Sequence, residues 1–302
     1  MKGKYLLYLL IALPLLFSCK STNDKRSDDD FQVPDSVANR GVLEVSDQAM
    51  ENITENISSH IETAALIKNL NVPFSKEYLS STDDVDRYST NFDQALMLGI
   101  YGADLGYLNM YSKTTVALDY LSSIRKLANS IKVGQFFDFN TLQRLAKNNE
   151  DLDSLMYISQ RNFNQMDQYL RENNRSNLSA LMVAGGWIEG LYLSGKVFKS
   201  SPDPELREAI GEQKIILGDL MILLRNFKND PDFRELIEAF NGIYKLFKEV
   251  KITIERGEPT QEVVDGRLVI QQNTKSIVSV SDEVLEQIIN ESVKVRNNIL
   301  NQ

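Results

Sequence analysis

Two stretches of this chain, Asn91 to Tyr111 and Asn177 to Phe198, are apolar nearly all round yet are interrupted by glycines. The first carries Gly99, Gly102 and Gly106, the second Gly185, Gly186 and Gly190. A helix without a polar face must be buried on every side, so both segments belong at the centre of the fold. Each glycine inside a helix costs up to about 1 kcal/mol against alanine. Such a cost predicts close backbone packing against a neighbouring helix, where a Cβ would not fit.

The two stretches are also alike. Ala95-Leu96-Met97 recurs as Ala180-Leu181-Met182, and at the same offset of 85 Asp104 aligns with Glu189, Tyr107 with Tyr192 and Leu108 with Leu193. Further on, Arg144, Lys147, Asn148, Asp151 and Leu155 recur at Arg225, Lys228, Asn229, Asp232 and Leu236, an offset of 81. Two blocks in one order, whose offsets differ by a four-residue gap, point to a duplicated multi-helix unit, at about residues 90–172 and 176–250. Neither unit carries the tetratricopeptide pattern.

Around this pair the periodicity is helical. Ser46 is expected to cap a first helix reaching about Leu70, with Met50, Ile53, Ile57, Ile61 and Ala64 on one stripe and Pro73 as its stop. Tyr78 to Tyr88 reads as a polar connector. Thr114 to Ile131, a short helix around Leu142 to Lys147, and Asp151 to Arg171 follow. Ser176 reads as the cap of the second apolar helix, and Asp203-Pro204 and Asp230-Pro231 each read as an N-cap with a first-turn proline. The pattern then alternates, with a hairpin turn at Asp265-Gly266, Ile277 to Val280 as a further strand, and a last helix capped by Ser281 with Val284, Leu285, Ile288 and Ile289 inward. The fold class expected is mainly α: a multi-helix bundle or array over residues 46–250 with an internal duplication. A small C-terminal β-hairpin and a final helix, residues 251–302, would pack on it.

The N-terminus speaks to location. Lys2 and Lys4 precede an apolar run from Tyr5 to Phe17, too short to span a bilayer as a mature helix, which reads as a signal over residues 1–18. Leu16-Phe17-Ser18-Cys19 holds the only cysteine of the chain and resembles a bacterial lipobox, which implies acylation of Cys19 with chains such as palmitate. Residues 19–45 are polar and read as a disordered tether. Within it Ser27-Asp28-Asp29-Asp30 resembles an export signal to the outer face of the outer membrane, and Asp35-Ser36-Val37 resembles a short O-glycosylation motif. Removing residues 1–18 takes away two positive charges and moves the net charge from −9 to −11. So acidic a chain has no electrostatic reason to bind nucleic acid or an anionic membrane surface, and its membrane partner is reached through the lipid. With Cys19 acylated no thiol remains. His60 is the sole histidine, so thiolate sites and multi-histidine metal sites are excluded, and no cofactor motif stands in the sequence.

Leu98-Gly99-Ile100-Tyr101-Gly102-Ala103-Asp104-Leu105-Gly106-Tyr107 and Gly185-Gly186-Trp187-Ile188-Glu189-Gly190-Leu191-Tyr192 resemble a group of helical Bacteroidetes cell-envelope lipoproteins with no assigned activity. The resemblance covers about residues 45–300. It implies a helical fold and a lipid-anchored place in the envelope, with the outer membrane expected, and it transfers no catalytic residue.

Asp104 and Glu189 are the sharpest candidates for chemistry, each the lone acid inside an apolar helix. Packed by their glycine faces, the helices could bring the carboxyl groups together, and like charges in a dry site raise one pKa. Such a pair suits a carboxylate-dependent hydrolase of an envelope or dietary glycan. The structural alternative is that each acid accepts hydrogen bonds from nearby tyrosines or amides and fixes helix register. Trp187, Tyr107 and Tyr192, with Tyr101, are candidate pocket walls for a sugar or peptide, or else core. The expectation is a non-catalytic envelope binding or assembly module, with an envelope protein or glycan as partner and no metal or cofactor. A glycan-capture lipoprotein of the starch-utilisation type ranks last, because the chain has one tryptophan.

Overall fold

The Thr90 side chain accepts a hydrogen bond from the Asp93 amide (3.1 Å) and so caps the first apolar helix, α1, Asn91–Met110, in the computed structural model. The model describes residues 67, 70, 72–147, 152–256, 260–264, 267–271 and 274–301, all within the unit Glu44–Gln302. The signal segment, Cys19, the tether, His60, most of the first expected helix and Asp265-Gly266 lie outside the described residues.

After α1 come α2 (Thr114–Ser130), α3 (Phe139–Lys147), α4 (Leu152–Glu172) and α5 (Ser176–Ser200). Ser176 is the first residue of α5 rather than its cap. The tight turn before it, with Asn174 at a φ of 57°, sets Arg175 at the cap position without a side-chain bond. Asp203 accepts from the amides of Glu205 (2.9 Å) and Leu206 (3.0 Å), and Asp230 from that of Asp232 (2.9 Å). With Pro204 and Pro231 they start α6 (Pro204–Arg225) and α7 (Pro231–Phe247). Ser281 accepts from the Val284 amide (3.2 Å) and opens α8, Asp282–Leu300.

Between α7 and α8 the described residues form two antiparallel sheets of two strands each. Strands β1 (Lys251–Arg256) and β4 (Thr274–Ser279) pair from Lys251↔Ser279 to Arg256↔Thr274. Strands β2 (Thr260–Val264) and β3 (Arg267–Gln271) pair from Thr260↔Gln271 to Val264↔Arg267, on either side of the expected turn dipeptide. Val278 of β4 packs against Gly211 of α6, where a Cβ would come within 2.3 Å of it. The mainly helical body, the hairpin and the final helix are thus as expected.

The centre is the pair α1 and α5. A Cβ on Gly99 would stand 2.0 Å from the Met182 carbonyl oxygen, and one on Gly185 2.0 Å from that of Leu96. Backbone meets backbone there, as the glycines predicted. Gly102 gives room instead to the Phe163 ring of α4, 2.5 Å from its would-be Cβ. Gly106 and Gly190 break the expectation, because a Cβ on either meets nothing within 4 Å among the described residues. Each helix opens one of the two units read from the sequence, but their next elements differ. Helix α6 runs unbroken, whereas its counterpart is α2, a 3-10 turn at Gly134–Phe136, and α3.

The expected polar connector is drawn into the body. Ser80 and Tyr88 are buried, and 3-10 turns at Lys76–Tyr78 and Val85–Arg87 shape the segment. Its backbone groups are taken up by core side chains: Tyr101 donates to the Ser81 carbonyl (2.8 Å) and Tyr120 to that of Ser80. Polar composition therefore marked a loop but not an exposed one.

Candidate functional site

Asp104 follows Ile100 by four residues and Glu189 follows Gly185 by four, so each acid lies one turn past the helix crossing, on the crossing face. The two converge, as the repeat suggested. Both are fully buried, at 0% exposure. Arg296 of α8 meets Glu189 side-on with two bonds, Nε to Oε2 (2.9 Å) and Nη2 to Oε1 (3.0 Å). The same Nη2 reaches the Ser80 hydroxyl (2.8 Å) and the Tyr78 carbonyl (3.3 Å). The guanidinium lies over the Tyr192 ring at 4.2 Å. The Ser80 amide donates to Asp104 Oδ2 (3.1 Å), and Asp104 Oδ1 receives no donor.

That orphan oxygen locates a proton. Burial, and then the Glu189 charge, hold the Asp104 carboxyl well above its ordinary range, against the opposing pull of Arg296. Burial also raises Glu189, but the Arg296 charge and hydrogen bonds oppose the rise. Asp104 is thus the neutral partner, able to donate from Oδ1 to Glu189, and Glu189 is the carboxylate that balances Arg296. Burial would lower Arg296, and the Glu189 charge more than reverses it.

This arrangement binds the protein to itself. Tyr101 and Tyr120 donate to the carbonyls of Ser81 and Ser80; of the donors expected for the acids, it is a backbone amide, that of Ser80, that serves Asp104, while the Arg296 guanidinium serves Glu189. Both carboxyl groups are fully buried, whereas hydrolysis by such a pair calls for a water-accessible cleft.

The adjoining face of the same two helices is open. Ala103, Gly106, Tyr107 and Met110 of α1 and Gly186, Trp187, Gly190, Leu191, Leu193 and Ser194 of α5 line a cavity of about 200 Å³, completed by Ile67 and Gln213. Gly106 and Gly190, which like Gly218 have no described neighbour within 4 Å of a would-be Cβ, are part of its wall. Trp187 donates from Nε1 to Gln213 Oε1 (3.0 Å), and its ring rests 5.6 Å from that of Phe240. Of the aromatic candidates, Trp187 and Tyr107 therefore line the cavity. Tyr192 lies in the charged cluster, and Tyr101 is engaged with Ser81.

Two participants were not anticipated, Arg296 and Ser80. Arg296 was legible: the inward positions Leu285, Ile288 and Ile289 extend at helical spacing through Ser292 to Arg296. Ser80 carried no such signal. Among the described residues no group of acids, histidines or cysteines could hold a metal ion, and no helix is long and apolar enough to cross a membrane. Comparison with protein-family models, curated proteins and solved structures finds no match for this chain.

Proposed function

We propose that this chain is a non-catalytic binding module, held to the cell envelope by lipid on Cys19, and that its ligand seat is the cavity between α1 and α5. The single observation that carries the reading is the pair Gly106 and Gly190. Each costs about 1 kcal/mol inside a helix, and neither returns backbone packing among the described residues, none of which lies within 4 Å of a would-be Cβ. What both glycines do is widen one apolar cavity. The buried carboxylates support the non-catalytic part, because their partners are already within the protein.

The test uses the mature chain, residues 19–302, carrying Cys19→Ser so that it is made without acyl groups. Small molecules extracted from the envelope are expected to change the emission of Trp187, the sole tryptophan. A Gly106→Leu variant that melts no lower than the parent should lose the response. Turnover of a peptidoglycan or glycan substrate by the same protein would sink the proposal.

A further inference from the structure

The chemistry of the cavity wall selects a class of ligand. Among the described residues four polar side chains line it, and each has a partner inside the protein. Trp187 Nε1 donates to Gln213 Oε1 (3.0 Å), Gln213 Nε2 donates to the Ala209 carbonyl (3.3 Å), and the Ser194 hydroxyl donates to the Gly190 carbonyl (2.8 Å). The Tyr107 hydroxyl oxygen accepts from the Ser75 amide (3.2 Å). A ligand with its own donors and acceptors would have to break one of these bonds or bury a polar group unpaired. A hydrocarbon meets no such penalty. The remaining wall is Ile67, Ala103, Met110, Leu191 and Leu193 with the bare backbone of three glycines, a surface that offers dispersion contacts only.

Size narrows the class further. An apolar cavity of about 150 Å³ stays dry and takes up benzene, so the 200 Å³ here holds a short aliphatic segment rather than a folded-up long chain. Methionine at the wall adapts to a flexible occupant. Trp187, fixed by Gln213 at its nitrogen and by Phe240 at its ring, supplies a rigid flat side.

We infer that the α1–α5 cavity binds the terminal segment of a linear acyl chain, leaving the polar head outside. The inference rests on the cavity being the ligand seat and adds what the ligand is. The chemistry is shared by a free fatty acid and by the acyl chain of a membrane lipid.

The experiment uses the same Cys19→Ser mature chain and reads quenching of Trp187 by bromine, which acts only at contact. The probes are ω-bromodecanoic acid, vesicles of phosphatidylcholine brominated near the chain ends, and iodobenzene as a compact aromatic control. Saturable quenching by the bromo acid, competed by decanol as well as by decanoate, is the expected result, since the head group plays no part. Gly106→Leu and, independently, Gly190→Leu should each weaken it at least tenfold while the unfolding temperature does not fall below that of the parent. Should either leucine variant fail to fold, the alanine variants serve, with a smaller loss expected. Quenching by the free acid alone assigns the ligand to a soluble fatty acid, and quenching by vesicles alone assigns it to a membrane lipid; both support the inference. Quenching by iodobenzene but by neither aliphatic probe overturns the acyl assignment and leaves the cavity as a ligand seat. Quenching by no probe, or quenching by the bromo acid that all these variants retain, overturns the cavity itself.

Discussion

Exchanging glycine for alanine at two points of α1 should give effects of opposite sign. At Gly99 the new Cβ would stand 2.0 Å from the Met182 carbonyl oxygen and 2.7 Å from the Gly186 nitrogen, both backbone atoms of α5. Ordinary contact begins near 3.4 Å, and no rotamer change can move a backbone atom away. The helices must therefore part by about 1.4 Å, at the upper end of overpacking costs, about 3 kcal/mol. Alanine's better helix propensity returns up to about 1 kcal/mol, so Gly99→Ala should destabilise by roughly 2 kcal/mol. At Gly106 nothing lies within 4 Å of the would-be Cβ. Only the propensity gain and the reduced freedom of the unfolded chain remain, and Gly106→Ala should stabilise by about 1 kcal/mol. The variants thus differ by roughly 3 kcal/mol. For a body of this size, at about 2–4 °C per kcal/mol, their melting temperatures should lie some 6–12 °C apart. Thermal unfolding followed by circular dichroism, with urea titration to check that m is unchanged, measures it. Equal melting temperatures, or a Gly106→Ala variant less stable than the parent, would refute the distinction between packed and unpacked glycines.

Three further outcomes follow from the charged cluster and the N-terminus. Glu189→Gln leaves the Arg296 guanidinium buried without its counter-charge and should destabilise by about 3–5 kcal/mol in urea titrations; a loss below 1 kcal/mol would show the pair to be solvated. Asp104→Asn should be close to neutral at pH 4, because an amide reproduces the protonated carboxyl by donating to Glu189 and accepting from the Ser80 amide. Since the folded state holds the Asp104 proton more tightly than the unfolded chain, its contribution is fully present below the ordinary carboxyl range and is lost as pH rises toward the elevated folded value. The asparagine variant should therefore gain on the parent between pH 4 and pH 8, and a parent that gains on the variant would reverse the protonation assignment. Feeding cells an alkyne-tagged fatty acid should label the parent chain and not a Cys19→Ala variant, and equal labelling would remove the anchor.

How much of this was legible in the sequence divides by range. The two central helices, the Asp-Pro helix starts and the short strands either side of residues 265–266 are set by short spacings, and they stand where the residues placed them. The convergence of Asp104 and Glu189 followed from the internal likeness of two distant segments. Their surroundings did not, because Ser80 and Arg296 come from segments whose relation to α1 and α5 exists only in three dimensions; Arg296 lies 107 residues from Glu189 and 216 from Ser80. A polar segment reads as solvated until something takes up its backbone groups, and here Tyr101, Tyr120 and Asp104 do so.

Glycine shows why stability and function cannot be separated from composition alone. Gly99 and Gly185 weaken their helices and regain that cost at once, since only a bare Cα lets Met182 and Leu96 present their carbonyls so closely. Gly106 and Gly190 weaken the same helices one to two turns later and regain nothing from packing. A body that also buries an arginine, a carboxylate and a neutral acid at its centre has little reason to leave two such easy gains in stability unused. Alanine would fit at both positions and would narrow the cavity, and leucine would fill it. The stability forgone at these two positions is therefore the physical argument for the cavity as a site. It also explains why the functional reading moves from the carboxylates, which are satisfied, to the empty face beside them.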